Sequence, residues 1–230
     1  MAQLSARLAN AAGNDAAVLI SGAAGAGKKL LAQRLHALGP RRDGRLTVAP
    51  AATLSEQMLD DTEGGTLVLA EVDALSPDAQ ARVARLLDAP HVRARRDAAM
   101  QPRGVRIVAT SSMVPTVLES RGALSETLRR RLNEVHIHVP ALAERKEDLN
   151  VLVCHFLREG LGGERSDVRP GRWSSAPTPA AWRALFAYDF PGNVGELASV
   201  MEHALGASGG ERIDVHHLPP TIAGGGRAAR

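Results

Sequence analysis

Two patterns of apolar positions alternate along the chain. Short runs, Ala17–Ser21, Leu46–Ala49, Thr66–Ala70, Val105–Thr110 and Val135–Val139, read as strands, Thr66–Ala70 being a continuous apolar run suited to a central parallel strand. Between them, apolar residues recur every three or four positions and predict helices. The first covers residues 3–12, with Leu4 and Leu8 on one face. A second runs from Lys28 to about His36, and a short one covers 53–59, with a Thr53-to-Glu56 capping box. Ser76 and Pro77 open a helix to about Asp88 that turns Ala79, Val83, Leu86 and Leu87 inward, and Leu118–Leu132 reads as mostly helical. Strands alternating with helices in this way predict a parallel sheet covered on both faces.

From Pro140 onward the strand pattern stops. Glu144–Leu161 is amphipathic, with Leu149, Leu152, Val153 and Phe156 on one stripe. Gly162–Pro177 is a polar Gly/Pro/Ser-rich connection, Pro179–Tyr188 is helical, and Asn193 is expected to cap a final helix to about Ala207. The division predicted is an α/β domain over 1–140, a helical domain over 141–222 and a flexible tail over 223–230.

Composition narrows the function classes. Aromatics are 3% of the chain, too few for the stacking platforms of single-strand nucleic-acid binders. The net charge of +3 gives no nucleic-acid signal by itself. Arg93-Ala94-Arg95-Arg96 and Arg129-Arg130-Arg131 read as solvated faces or subunit contacts, so direct DNA binding is not expected. Cys154 is the only cysteine, and no apolar run has membrane length; the expectation is a cytoplasmic chain with no membrane contact and an inert thiol. His136 and His138 alternate on a strand without further ligands in view, and His216-His217 has no ligand partner either, so no metal site is expected.

The chemistry concentrates in Gly22-Ala23-Ala24-Gly25-Ala26-Gly27-Lys28-Lys29, which lies between the first strand and the second helix. Glycines at this spacing let backbone N–H groups approach a phosphate, the helix start adds partial positive charge, and Lys28 can reach the β/γ-phosphates. Lysine occurs only at 28, 29 and 146 among 28 basic Lys and Arg residues, so two of the three sit in this loop. Lys29 stands where Ser or Thr usually holds Mg²⁺.

Several segments, in order, resemble the AAA+ domain of bacterial sigma-54-dependent transcription activators. Gly22–Lys29 resembles GESGTGKE, and Glu63–Glu71 the GGTLFLDE stretch. Val105–Thr110 resembles VRIIAAT, Arg131–Asn133 YRLN, Pro140–Arg145 PPLRER, and Tyr188–Leu197 YDWPGNVREL. The resemblance implies a P-loop AAA+ three-layer fold with a C-terminal helical lid, ATP or ADP in a site between the two, and ring assembly. Carried over by residue, nucleotide binding would fall to Gly22, Ala23, Ala24, Gly25, Ala26, Gly27, Lys28 and Lys29. Glu71 would be the catalytic base and Arg131 an arginine acting in trans on a neighbour.

Departures from the pattern are as informative. Ala70 replaces the metal-orienting aspartate before Glu71, so that with Lys29 neither usual protein anchor for Mg²⁺ remains. Ala49 takes the place of an Asn that holds the glutamate, Ser112 that of the sensor Asn, Ser125 that of the first trans-acting arginine, and Gly195 that of the lid arginine. Residues 53–63 fill the interval where the family carries its GAFTGA loop, which contacts sigma-54, and lack that sequence. No DNA-binding helix-turn-helix is expected after residue 220, and no receiver domain before residue 1. Three readings follow: a regulatory, largely non-hydrolysing module acting on an AAA+ partner or by self-assembly; an active Mg-ATPase using Glu71; or an interaction domain that no longer binds nucleotide.

Overall fold

The computed structural model describes residues 2–88, 104–160 and 176–224 of the chain. The basic stretch 91–103, all but two residues of the 162–177 connection, and residues 225–230 of the expected tail lie outside the described residues. Two compact units are present: residues 1–23 with 27–139, and residues 24–26 with 140–230.

In the first unit the described strands form one parallel five-stranded sheet. β1 (Val18–Ser21), β2 (Leu46–Pro50), β3 (Thr66–Ala70), β4 (Arg106–Ser111) and β5 (Val135–His138) lie in the order β2-β3-β4-β1-β5. The alternation of side chains along each strand sorts the two faces. Leu19, Leu67, Leu69, Ile107 and Ala109 face one way. They pack with residues of α3 (Glu56–Asp61), α4 (Pro77–Leu87), α5 (Pro115–Ser120) and α6 (Glu126–Leu132) in one apolar core. Val18, Ile20, Val68 and Val108, equally buried, have the opposite parity. Contacts to β1, β4 and β5 come from α1 (Ala2–Ala12) and α2 (Lys28–Leu38).

Several expected boundaries move, each for a local reason. The helix expected over 118–132 is two helices: Gly122, at φ +58°, breaks the chain, and the Ser125 hydroxyl, accepting from Leu128 N–H, starts α6 afresh. The capping box of Thr53 does not form. Thr53 donates its hydroxyl to the Pro50 carbonyl at 2.9 Å within a 3₁₀ turn, and Ser55 caps α3 instead. Ser76 caps α4 as expected, with Pro77 in its first turn. Arg41, expected in a polar turn, is buried at 2% exposure; its guanidinium meets the Asp15 carboxylate at 2.9 Å and the Gly104 carbonyl at 2.5 Å. Arg106 is also buried and donates to the Ala11 carbonyl at 2.5 Å.

The second unit is helical. Its core joins Leu149, Val153 and Leu157 of α7 (Leu149–Gly160), Ala181 and Leu185 of α8 (Pro179–Ala187), and Leu197, Met201 and Ala204 of α9 (Asn193–Ser208). Tyr188 and Phe190 complete it, their rings edge to face at 5.1 Å. The segment expected to begin a helix at Glu144 instead makes 3₁₀ turns over Leu142–Glu144 and Lys146–Asp148 before α7 starts. Asn193 is the first residue of α9 rather than its cap, which is Gly192. Nor is α9 the last helix: α10 (Pro220–Ala223) follows, so Ala223 of the expected tail is helical. Cys154, on α7, is half-buried. Among the described residues, no helix is long and apolar enough to cross a membrane.

Two histidines tie the first unit to pH. His36, buried and bonded to the Thr66 hydroxyl at 2.9 Å, has its pKa lowered by desolvation and by Arg106. Ser21 Oγ lies 2.7 Å from His136 Nε2 and 3.1 Å from His138 Nδ1. Desolvation, then His138 and Arg7, lowers the His136 pKa. Above the ordinary value of ~6.5 neither the folded nor the unfolded chain protonates them. As pH falls through that value the unfolded chain takes up protons that the folded chain resists, so stability declines until the folded pKa values are passed. Urea midpoints should therefore be flat from pH 8 to 7 and fall from about pH 6.5 downward. In His136→Gln the decline should be smaller; an equal decline would remove His136 from this explanation.

Candidate functional site

The loop after β1 has the backbone that its glycines predict. Gly22 sits at φ +154°, and a Cβ there would lie 2.5 Å from the Val139 carbonyl oxygen, so the position excludes any side chain. Gly27, at φ +99°, is the N-cap of α2 and brings no side-chain hydrogen bond to it. No side chain therefore engages the first N–H groups of α2 as a cap, and these point where an anion would sit. Lys28, the first residue of that helix, donates Nζ to the Gly22 carbonyl at 2.6 Å and the Ala23 carbonyl at 3.0 Å. Burial lowers the Lys28 pKa, against the opposing pull of Asp73 and then Glu71. Lys29 is exposed.

The ends of β2 and β3 bring no side-chain oxygen to this chemistry. β3 closes on Ala70, paired in register with Pro50, and Ala49 on β2 is a buried methyl beside Leu69. Glu71 follows in the left-handed region, φ 60° and ψ 48°, with its carboxylate side exposed and its N–H directed at the Thr110 hydroxyl at 3.4 Å. A non-glycine residue held there is a backbone outlier of the kind that collects at functional sites. Sequence reasoning missed Asp73. Its carboxylate accepts from Ser112 N–H at 3.1 Å and from the Ser112 hydroxyl. Burial by itself would raise the Asp73 pKa, but the Ser112 hydroxyl, the backbone N–H groups of Asp73 and Ser112 and the Ser111 hydroxyl together hold the acid below its usual range. Ser112, at the place of the sensor Asn, is engaged by Asp73.

Arg131 and Ser125 stand apart from this group in role. Ser125 caps α6, and Arg131 is ion-paired to Asp88 at 2.7 Å, both side chains 40% exposed. His136 and His138 share Ser21, and among the described residues no group of three or more His, Cys, Asp or Glu is placed to hold a metal.

The crown of the glycine loop, residues 24–26, belongs to the second unit. All three of its carbonyls are taken there. Asn193 Nδ2 donates to Ala24 O at 2.9 Å, Val194 and Gly195 N–H to Gly25 O at 3.0 and 3.3 Å, and Arg145 Nη2 to Ala26 O at 2.7 Å. Asn193 is buried, at φ +55°, and also accepts from Leu142 N–H at 2.8 Å. Gly25 is required: at φ +71° a Cβ would meet Gly192 O at 2.2 Å. None of these four partners was among the expected site residues. The signals were Arg145 at the end of the PPLRER-like segment and Asn193-Val194 in the GNVREL-like one.

A parallel sheet in this order, a glycine loop entering α2 and a helical C-terminal unit define a P-loop AAA+ fold. Residues 1–142 match the model of the sigma-54 interaction domain and residues 143–230 that of the AAA+ ATPase lid domain, so the chain belongs to the sigma-54 interaction domain family. It is 33% identical to the transcriptional regulatory protein ZraR of Salmonella typhimurium, over 94% of this chain and 53% of ZraR. It is 30% identical to the C4-dicarboxylate transport transcriptional regulatory protein DctD of Rhizobium meliloti, over 91% of this chain and 49% of DctD. The chain thus spans about half the length of the curated relatives it matches. Crystal structures of NtrX from Brucella abortus in complex with ADP and with ATP superpose with TM-scores of 0.77, at 27% identity, over 96% of this chain and 54% and 55% of NtrX.

Proposed function

We propose that this chain is a nucleotide-binding AAA+ module of the sigma-54 activator type, impaired in ATP hydrolysis, that regulates transcription through contacts with a partner protein such as a full-length activator. The observation that carries the reading is a formed glycine loop together with a central strand, β3, that ends on Ala70 without a side-chain oxygen. Gly22 to Lys29 have the backbone and the lysine for a di- or triphosphate, and the NtrX relatives were crystallised with ADP and ATP. Around Glu71, Ala70 and Ala49 bring no side-chain oxygen, and the Ser112 hydroxyl already serves Asp73.

Hydrolysis at P-loop sites depends on a positioned water, a metal and arginines; an arginine finger alone is worth about 10³–10⁵ in rate. Here Ser125 is a helix cap, and Arg131 would have to leave Asp88 to reach a neighbour. The output loop is also missing from its usual place: between β2 and β3 the chain makes only a 3₁₀ turn, α3 and a tight turn at Gly64-Gly65. Direct leverage on sigma-54 through that interval is not part of the proposal. A partner of the same family, or a second copy, supplies the contact.

One observation favours the active-ATPase alternative, the exposed Glu71 carboxylate close enough to Lys28 to act on its charge. Steady-state phosphate release in Mg²⁺ separates the two readings. We expect turnover no faster than about 10⁻³ s⁻¹, the order of unassisted P-loop hydrolysis, and the same rate in Glu71→Gln. Turnover near 1 s⁻¹ that disappears in Glu71→Gln would establish the alternative.

A further inference from the structure

We infer that this site holds its nucleotide without a divalent cation, the phosphate charge being met by Lys28, Lys29 and the first turn of α2. The inference rests on the nucleotide reading above and says which form of nucleotide is bound. In P-loop NTPases Mg²⁺ is anchored by the hydroxyl after the P-loop lysine and by the aspartate ending the central strand. The first position is Lys29, exposed and cationic, and the second is Ala70, half-buried and without a donor atom. Neither residue fits the metal, and Lys29 repels it.

Neighbouring groups do not restore the donor set. Asp73 has one carboxylate oxygen on Ser112 N–H and the other on the Ser112 hydroxyl. Thr110 faces the Glu71 N–H. Glu71 is left as one carboxylate close to the Lys28 ammonium, whereas Mg²⁺ prefers near-octahedral oxygen coordination from carboxylates, waters and phosphates. The same residues suit a bare polyphosphate. Two lysines are consecutive at the start of α2, and Gly27 puts no side-chain cap over its first N–H groups. The metal-free nucleotide is more negative than its Mg²⁺ complex, so a site that supplies its own two positive charges favours the free form.

The test is a titration of the full chain with a fluorescent ATP analogue in Mg²⁺ and in EDTA. The dissociation constant in EDTA should be no higher than in Mg²⁺, and in Lys29→Thr/Ala70→Asp added Mg²⁺ should tighten binding about tenfold or more. An independent readout uses Mn²⁺ and ATP mixed in equal amounts. Adding the protein should release Mn²⁺ and increase the electron paramagnetic resonance signal of the hydrated ion. Wild-type affinity that rises about tenfold on adding Mg²⁺, or a Mn²⁺ signal that shifts to a protein-bound form, overturns the inference but leaves nucleotide binding standing. Absence of binding in both buffers overturns the nucleotide reading and this inference with it.

Discussion

Lys28→Ala should weaken nucleotide binding about a hundredfold while leaving the fold intact, because a charge-assisted hydrogen bond is worth ~1.5–3 kcal/mol. The lysine is the cation best placed for a phosphate. It is the first residue of α2, half-buried, and aligned by the Gly22 and Ala23 carbonyls that it bridges. Burial also disfavours its charged form, as the lowered pKa shows, so a phosphate arriving beside it would recover electrostatic energy that Asp73 and Glu71 only partly provide. Removing the side chain leaves the Ala23 carbonyl at an exposed residue, where water can replace the ammonium. The carbonyl of buried Gly22 loses its 2.6 Å donor as well, so the stability cost should be about 1–3 kcal/mol, less than unfolds a domain. Titration of both proteins with a fluorescent nucleotide, together with their melting curves, checks both parts. Unchanged affinity would place the nucleotide elsewhere or nowhere.

Gly65→Ala is expected to be the most damaging small substitution in the first unit, lowering its stability by about 3 kcal/mol or more. A Cβ at this residue would lie 2.1 Å from the Arg45 carbonyl oxygen and 2.9 Å from the Arg45 carbonyl carbon and nitrogen. All three are backbone atoms and cannot rotate away. Nor can Gly65 retreat: its N–H donates to Thr62 O at 2.8 Å and its carbonyl accepts from Arg106 N–H at 3.1 Å. The next residue, Thr66, is bonded to the same Arg45 carbonyl at 2.8 Å. The methyl would push apart β2 and β3 at their start, in a domain whose whole stability is of the order of 5–15 kcal/mol. Urea unfolding should show a lower midpoint with an unchanged slope. A midpoint within error of wild type would mean that the Gly64-Gly65 turn is not pinned as described.

How much of this was legible in the sequence depended on the range of the interaction. Strands β1, β3 and β4 are short, largely apolar runs, and a run of that kind states its own burial, whereas β5 alternates with two histidines and is only half-buried. The Ser76-Pro77 start of α4 is equally local, a cap and its N1 proline. The loop from Gly22 to Lys29 was readable because a positive φ demands glycine at fixed spacing. Where two local signals competed, the reading slipped: Thr53 and Ser55 could each start a helix, and only the 3₁₀ turn after β2 decides between them. Gly122 was visible, yet the apolar periodicity on either side of it masked the break.

The long-range partners were not legible. Asp73 and Ser112 are 39 residues apart, and their bond turns an apparent spare hydroxyl into an engaged one. Asn193 reaches Ala24 across 169 residues and Arg145 reaches Ala26 across 119, and no local pattern announces a side chain that serves a distant carbonyl. Arg41 misled in the opposite direction. It sits among charged turn residues, and Asp15 and Gly104, brought up by the fold, help make its burial tolerable.

Retention of nucleotide tests the account most directly. The protein is mixed with ATP and Mg²⁺, freed of unbound nucleotide by rapid desalting, left for several minutes, denatured, and the released nucleotide identified by chromatography. The account predicts intact ATP at a substantial fraction of one per chain. Recovery of ADP with equivalent free phosphate, or of no nucleotide at all, would contradict it.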